Sequence, residues 1–181
     1  MGMKVDHDKQ IAAANDVITA LEAEFSGEGL NCELRMHSGG KHQRSYVYLE
    51  CPPSIWLIVA ETLSEVHGVD YCSMVTGIHW PEKAPEMEWQ VVVHLMRMGI
   101  KNPPSNEGIV MPIISDASIL QGSDMPLEFE VSIPISETRN PSVPSVQHIW
   151  VGADWNEKET WDLVGIDFEG HKETVSYTHL R

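Results

Sequence analysis

Residues 30–37, LNCELRMH, alternate without a break. Leu30, Cys32, Leu34 and Met36 fall on one side, and Asn31, Glu33, Arg35 and His37 on the other. Period two marks a strand with one wet face and one buried face. Ser38-Gly39-Gly40-Lys41 supplies a turn, and RSYVYLE at 44–50 resumes the extended pattern. The stretch 30–50 therefore predicts a β-hairpin. Before it, Ile11, Ala14, Ile18, Leu21 and Phe25 recur at spacings of three and four, which predicts an amphipathic helix over 8–25 stopped near Gly27. After it, Pro52-Pro53-Ser54 opens a second helix, because proline is tolerated in a first helical turn. Ile55, Ile58, Val59, Leu63 and Val66 line one face of that helix, and Gly68 ends it.

Three more strands are predicted, at 71–80, 89–98 and 127–135. The stretch from Lys101 to Met125 is rich in Pro, Ser, Asn and Gly and reads as a surface insertion with a short strand at 109–114. A segment from Pro141 turns the chain into a last helix over 155–164. Strands adjacent in sequence with short links imply an α+β fold, a mostly antiparallel sheet covered by helices on one face. The order is helix, two strands, helix, three strands, helix. The length of 181 residues suits a single domain, placed at 1–172 with the insertion at 101–125 and a tail at 173–181.

The formal net charge of −15 repels phosphate backbones and anionic headgroups, so nucleic-acid binding and direct membrane insertion are not expected. The longest apolar run, Ile55 to Ala60, is far short of the ~20 residues of a membrane span. MGMKVDHDKQ is too polar for a signal peptide, and Asp6 stands where a myristoylation signal has a hydroxyl residue. Cys32, Cys51 and Cys72 form no CxxC pair, so a thiolate metal site is not expected and the default reading is three reduced core thiols.

Histidines are numerous, but none shows the spacing of HExxH or a zinc finger. His94, inside VVVHLM, reads as a hydrogen-bonded core histidine. No GxSxG elbow is present, and Gly39-Gly40 lacks the helix that a phosphate loop requires. No catalytic, cofactor-binding or metal-binding residue is therefore assigned. The densest chemistry lies at 150–172, WVGADWNEKETWDLVGIDFEGHK. Asp154, Lys158 and Asp162 are spaced i, i+4, i+8, Glu157 shares a stripe with Trp161, and Trp155 shares one with Glu159. Two readings stand. One is a solvated charged face with its tryptophans turned to the core. The other is a docking surface, since aromatics beside charges are typical interface anchors.

PSVPSVQHIWVGADWNEKETWDLVGIDFEGH resembles the 30-kilodalton subunit of respiratory complex I. Glu157-Lys158-Glu159 stands for the family's Glu-Arg-Glu triplet, Asp162 for its acid, Leu163-Val164 for its apolar pair and His171 for its histidine. Trp89 to Leu95 is similar to the family's strand ending in Tyr-His-Leu, Met74 to Trp80 to the strand before it, and Pro141 to Val146 to its Pro-rich approach to the last helix. Lys158 departs from the family's arginine and loses its planar fork. His79 stands for an aspartate and Lys172 for a proline. After Glu173, TVSYTHLR replaces the family's Asp-Leu-Arg-Arg-Ile run and is expected to be non-native, the read-through of a truncated gene.

The resemblance implies a scaffold in the hydrophilic arm of an NADH:quinone oxidoreductase, which passes electrons to quinone and couples that to ion translocation. It implies no cofactor on this chain, with flavin or another electron-input cofactor and iron–sulfur clusters in other subunits. The partners implied are the large quinone-cavity subunit and neighbouring iron–sulfur subunits, on the cytoplasmic side of the cell membrane. Trp155, Glu157, Lys158, Glu159, Trp161, Asp162 and His171 are the subunit-interface candidates, with the two tryptophans as packing anchors. The alternatives are the equivalent subunit of a membrane-bound hydrogenase, formate hydrogenlyase or deazaflavin-dependent dehydrogenase, and, more distantly, a stand-alone metal-dependent hydrolase.

Overall fold

A computed structural model describes residues 6–37, 44–82, 85–98, 122–136 and 138–172. Helix α1 (His7–Glu24) starts where the Asp6 carboxylate accepts the backbone N–H groups of Asp8 and Lys9, two of the donors that a helix start leaves unpaired. It buries Ala13, Ala14, Val17, Leu21 and the following Phe25. Ile11 and Ile18, expected on this face, are half-buried at its margins. Strands β1 (Asn31–Met36) and β2 (Ser45–Glu50) pair antiparallel as a hairpin, Leu34 opposite Val47. The turn residues 38–43 lie outside the described residues.

A single turn at Pro53–Ile55 leads into α2 (Trp56–Glu65). Its inward face is Trp56, Val59, Ala60, Thr62 and Leu63. This corrects the sequence reading, since Ile58 and Val66 are exposed. Trp56 carries the largest apolar surface in the segment, and turning it inward rotates Ile58 and Val66 out.

Strands β3 (Tyr71–His79), β4 (Trp89–Arg97) and β5 (Leu127–Ile135) form a meander. The sheet order is β1-β2-β5-β4-β3. Three of its four pairings are antiparallel, while β2 and β5 run parallel. The parallel pair follows from the path: the chain leaves β2 through α2, crosses to the far edge as β3 and returns strand by strand to β2. Val47, Leu49, Val91, Val93, Leu95, Phe129, Val131 and Ile133 fill the covered face. Buried Arg97 ties the far end of β4 by donating to the carbonyls of Met125 (2.9 Å), Gly122 (3.0 Å) and His67 (3.3 Å). Burial lowers the pKa of its guanidinium against the pull of Asp124 and Asp70. The 109–114 strand and the 173–181 tail of the sequence reading lie outside the described residues.

Helix α3 (Val151–Val164) begins four residues before the expected Trp155, because Trp150 is the extended residue before the helix. Strand β3 is a sheet edge, and α3 lies along it. Thr160 Oγ1 donates to Val75 O at 3.3 Å, and Trp150 Nε1 donates to Val69 O at 2.9 Å. A side chain at Gly152 would collide with the Cys72 carbonyl, and one at Gly77 would meet Thr160 Cγ2 at 2.6 Å. Glycine at both places lets helix and strand meet closely, which covers an otherwise open edge. Two short strands, β6 (Ser142–Pro144) and β7 (Asp167–Glu169), pair parallel on either side of α3 in sequence.

Candidate docking face on the last helix

Helix α3 reverses the usual arrangement of an amphipathic helix. Its buried residues are Ala153, Glu157 and Thr160. Val151, Trp155 and Leu163 are 89%, 56% and 84% exposed. Val151, Trp155, Glu159 and Leu163 follow one another at i+4 and share a stripe on the outer surface with exposed Asp162. Trp155 Nε1 donates to Glu159 Oε1 at 2.7 Å, which holds the indole along the helix.

The inner side is a closed polar latch. Glu157 is 1% exposed. Its Oε2 accepts from Ser145 Oγ at 2.6 Å and its Oε1 from Val146 N at 2.8 Å. The His171 side chain is fully buried, with Nε2 at 3.8 Å from Glu157 Oε2 and 3.1 Å from Asp154 Oδ1. Lys158 Nζ pairs with the same Asp154 oxygen at 2.9 Å. Gly165, at φ +88°, donates to Thr160 O and Trp161 O, a left-handed stop that sends the chain back as β7. Ser145 N then donates to Glu169 O at 2.9 Å and Asp167 N to Pro141 O at 2.8 Å. The Pro-rich approach and the return segment are thereby bolted to each other and, through Glu157, to the helix.

Burial raises the Glu157 pKa, opposed by the Ser145 and Val146 hydrogen bonds and by His171. The hydrogen bond from Lys158 chiefly holds Asp154 low, with His171 assisting. The seven interface candidates thus divide. Trp155, Glu159 and Asp162 face outward, and Trp161 is half-buried beside them. Glu157 and His171 face inward and are saturated by groups of this chain, while Lys158 is held against Asp154. The sequence reading missed Val151 and Leu163 on the outer stripe, although the i+4 spacing was available. It also missed Ser145, whose partner lies across the chain.

A second constellation lies on the sheet face that no described helix covers. His94 Nε2 is 3.2 Å from Glu128 Oε1, and His37 Nε2 is 3.3 Å from Glu128 Oε2. Ser73 Oγ is 2.5 Å from His94 Nδ1. His37 stacks on Tyr46, with ring centroids 4.5 Å apart. The expected core position of His94 is therefore corrected: it is half-buried on the open face. Of the three thiols, Cys51 and Cys72 are buried and Cys32 is half-buried, and burial raises their pKa values to about 12, about 11 and about 11. Among the described residues, no group of three His, Cys, Asp or Glu side chains is placed to hold a metal, and no helix is long and apolar enough to cross a membrane.

A family model described as the 30-kilodalton subunit of respiratory-chain NADH dehydrogenase matches residues 49–178. NAD(P)H-quinone oxidoreductase subunit J of Synechococcus sp. (strain WH7803) is 30% identical over 119 residues, 65% of this chain and 54% of that protein. The chloroplastic subunit J of Anthoceros angustus is 34% identical over 65% of this chain and 71% of its own length. An NADH-quinone oxidoreductase subunit of Agrobacterium fabrum is 30% identical over 60% of this chain and 38% of its own length. Matches therefore span from about two fifths to about seven tenths of these relatives. Among solved structures, the trypsin-resistant fragment of Nqo5 superposes with a TM-score of 0.56 at 19% identity, covering 89% of this chain and 98% of that one. A chain of an archaeal membrane-bound sulfane sulfur reductase superposes with a TM-score of 0.55 at 16% identity, covering 92% and 75%. At such identities these two speak for the fold.

Proposed function

The chain belongs to the family of the 30-kilodalton subunit of respiratory-chain NADH dehydrogenase, and on that footing we propose that it is a non-catalytic scaffold in the hydrophilic arm of an NADH:quinone oxidoreductase. The complex passes electrons to quinone and couples that transfer to ion translocation. This chain holds no redox group; flavin or another input cofactor and the iron–sulfur clusters reside in other subunits. Its partners are the large quinone-cavity subunit and adjacent iron–sulfur subunits. The complex places it peripherally on the cytoplasmic side of the cell membrane.

The observation that carries this reading is the reversal of α3. Val151, Trp155 and Leu163 are left exposed beside Glu159 and Asp162 while a glutamate is buried beneath them. A helix that spends its inward side on a polar latch and leaves a tryptophan and a leucine outside is built to be covered by something else. Trp155, Trp161, Glu159 and Asp162 form the contact face, with cations on the partner opposite the two carboxylates. Glu157, Lys158 and His171 serve the interface from within, by fixing the helix and the 166–171 return.

The test is co-expression with the large subunit of the same complex. Asp162→Ala together with Glu159→Ala weakens assembly and leaves the isolated chain folded; unaltered assembly of that double variant would sink the reading. The fold shared with a chain of the sulfane sulfur reductase supports a second reading, in which this chain is the equivalent subunit of a related membrane-bound hydrogenase, formate hydrogenlyase or deazaflavin-dependent dehydrogenase. Co-purifying electron-input subunits separate the two.

A further inference from the structure

We infer that Ser73, His94 and Glu128 form a nucleophilic serine site on the sheet face that no described helix covers, reactive toward activated aryl esters and fluorophosphonates. The site is separate from α3 and does not depend on the scaffold reading. The local fold builds it in two steps. The register of β3 against β4 slips between Cys72 and Met74, so Ser73 sits at an irregularity on an edge strand with its side chain exposed, while Cys72 stays buried. On the other side of β4, His94 pairs across the strands with Glu130, which makes Glu128 its diagonal neighbour on the same face.

Hydrogen bonding fixes the roles. A carboxylate only accepts, so the His94 nitrogen facing Glu128 at 3.2 Å carries the proton. Nδ1 of the neutral ring is then left with its lone pair toward Ser73 Oγ, 2.5 Å away. Glu128 is itself steadied by His37 at 3.3 Å on its other oxygen, and His37 by its stack on Tyr46. Nucleophile, base and orienting acid therefore stand in the order that activates a hydroxyl. Ser73 Oγ also lies 3.1 Å from His94 O, a second and longer acceptor that competes with Nδ1 for the same proton.

In the step, Ser73 Oγ forms a bond to the ester carbonyl carbon and its proton passes to His94 Nδ1. The bond from that carbon to the aryl oxygen breaks, and the departing phenolate takes the proton from His94. Water repeats the sequence on the acyl-serine and releases the acid. No oxidant or further reactant is involved. Glu128 is a positioning residue, acting through His94.

The full chain is incubated with p-nitrophenyl acetate or a fluorophosphonate, and adducts are read by intact mass and peptide mapping. The expected result is one adduct, on Ser73. Acylation slows about a hundredfold in His94→Asn, in keeping with the usual contribution of a general base. Added imidazole restores part of the rate in His94→Ala, and Glu128→Asp retains rate that Glu128→Gln loses, neither of which a merely structural role would produce. Ser73→Ala abolishes the adduct with an unchanged unfolding midpoint, because its hydroxyl is on the surface. No adduct, an adduct only elsewhere, or a rate indifferent to His94→Asn would overturn the assignment.

Discussion

Helices α1 and α3 pack at opposite ends of the same sheet, α1 against β1 and β2 and α3 along β3, and obey opposite rules. Helix α1 puts Ala13, Ala14, Val17 and Leu21 inside, and its Asp8, Asp16, Glu22 and Glu24 face water. Helix α3 puts Glu157 and Thr160 inside and Val151, Trp155 and Leu163 outside. Burial of apolar surface accounts for α1 completely. It does not account for Val151, Trp155 and Leu163 on α3, which the proposed partner surface would cover. On the proposed reading, the difference separates a helix whose residues serve the fold from one whose residues are divided between the fold and a partner.

The largest effect that tests this contrast belongs to α1. Leu21→Ala, at a fully buried position, costs about 2–5 kcal/mol by chemical denaturation. Next comes Glu157→Ala. It strips the acceptor from Ser145 Oγ and Val146 N–H, both buried, and costs about 1–3 kcal/mol, since stranded donors lose their desolvation energy. A neutral outcome for Glu157→Ala would mean that the latch does not hold the 141–146 and 166–171 segments.

The pH dependence is smaller and has a definite sign. The Glu157 pKa is raised above its ordinary value of 4.5 in the folded chain, so the folded state takes up its proton before the unfolded chain does. Its contribution to stability is fully present below 4.5 and is lost as pH rises through the raised value. Asp154, held below its ordinary value of 3.8, acts oppositely, stabilising above that value and losing its contribution as pH falls through its folded value. As pH is lowered from about 7 to 4.5, wild type should therefore gain stability relative to Glu157→Gln, and below pH 3.8 it should lose stability relative to Asp154→Asn. Parallel curves for wild type and Glu157→Gln would contradict the burial argument. The smallest stability effect is expected for Leu163→Ala, within about 0.5 kcal/mol, as for a surface site without special contacts.

Local periodicity carried the elements that need no distant partner. The β1–β2 hairpin was legible from its alternation, although Leu30, Cys32 and Leu34 are only half-buried and Met36, expected on the buried face, is exposed; α1 was legible because its apolar residues repeat on one face. The parallel β2–β5 pairing was not, since nothing near Val47 or Phe129 says that a later strand returns beside an earlier one. In α2, spacing pointed to a face that included Ile58 and Val66, and the packing of Trp56 turned those two outward. The 150–172 segment stood out in the sequence, but which of its acids turns inward depends on Ser145 and Val146, twelve and eleven residues away. Ser73 and Glu128 stand 21 and 34 residues from His94, and only the strand register brings the three together.

The most direct measurement pairs two readouts on one variant, Trp155→Ala with Leu163→Ala: the unfolding midpoint of the isolated chain and its affinity for the large subunit. An outer stripe made for a partner predicts an unchanged midpoint and an affinity lowered at least about thirtyfold, the loss typical of an interface hot spot. Unchanged affinity, or a midpoint that falls with it, would contradict the account.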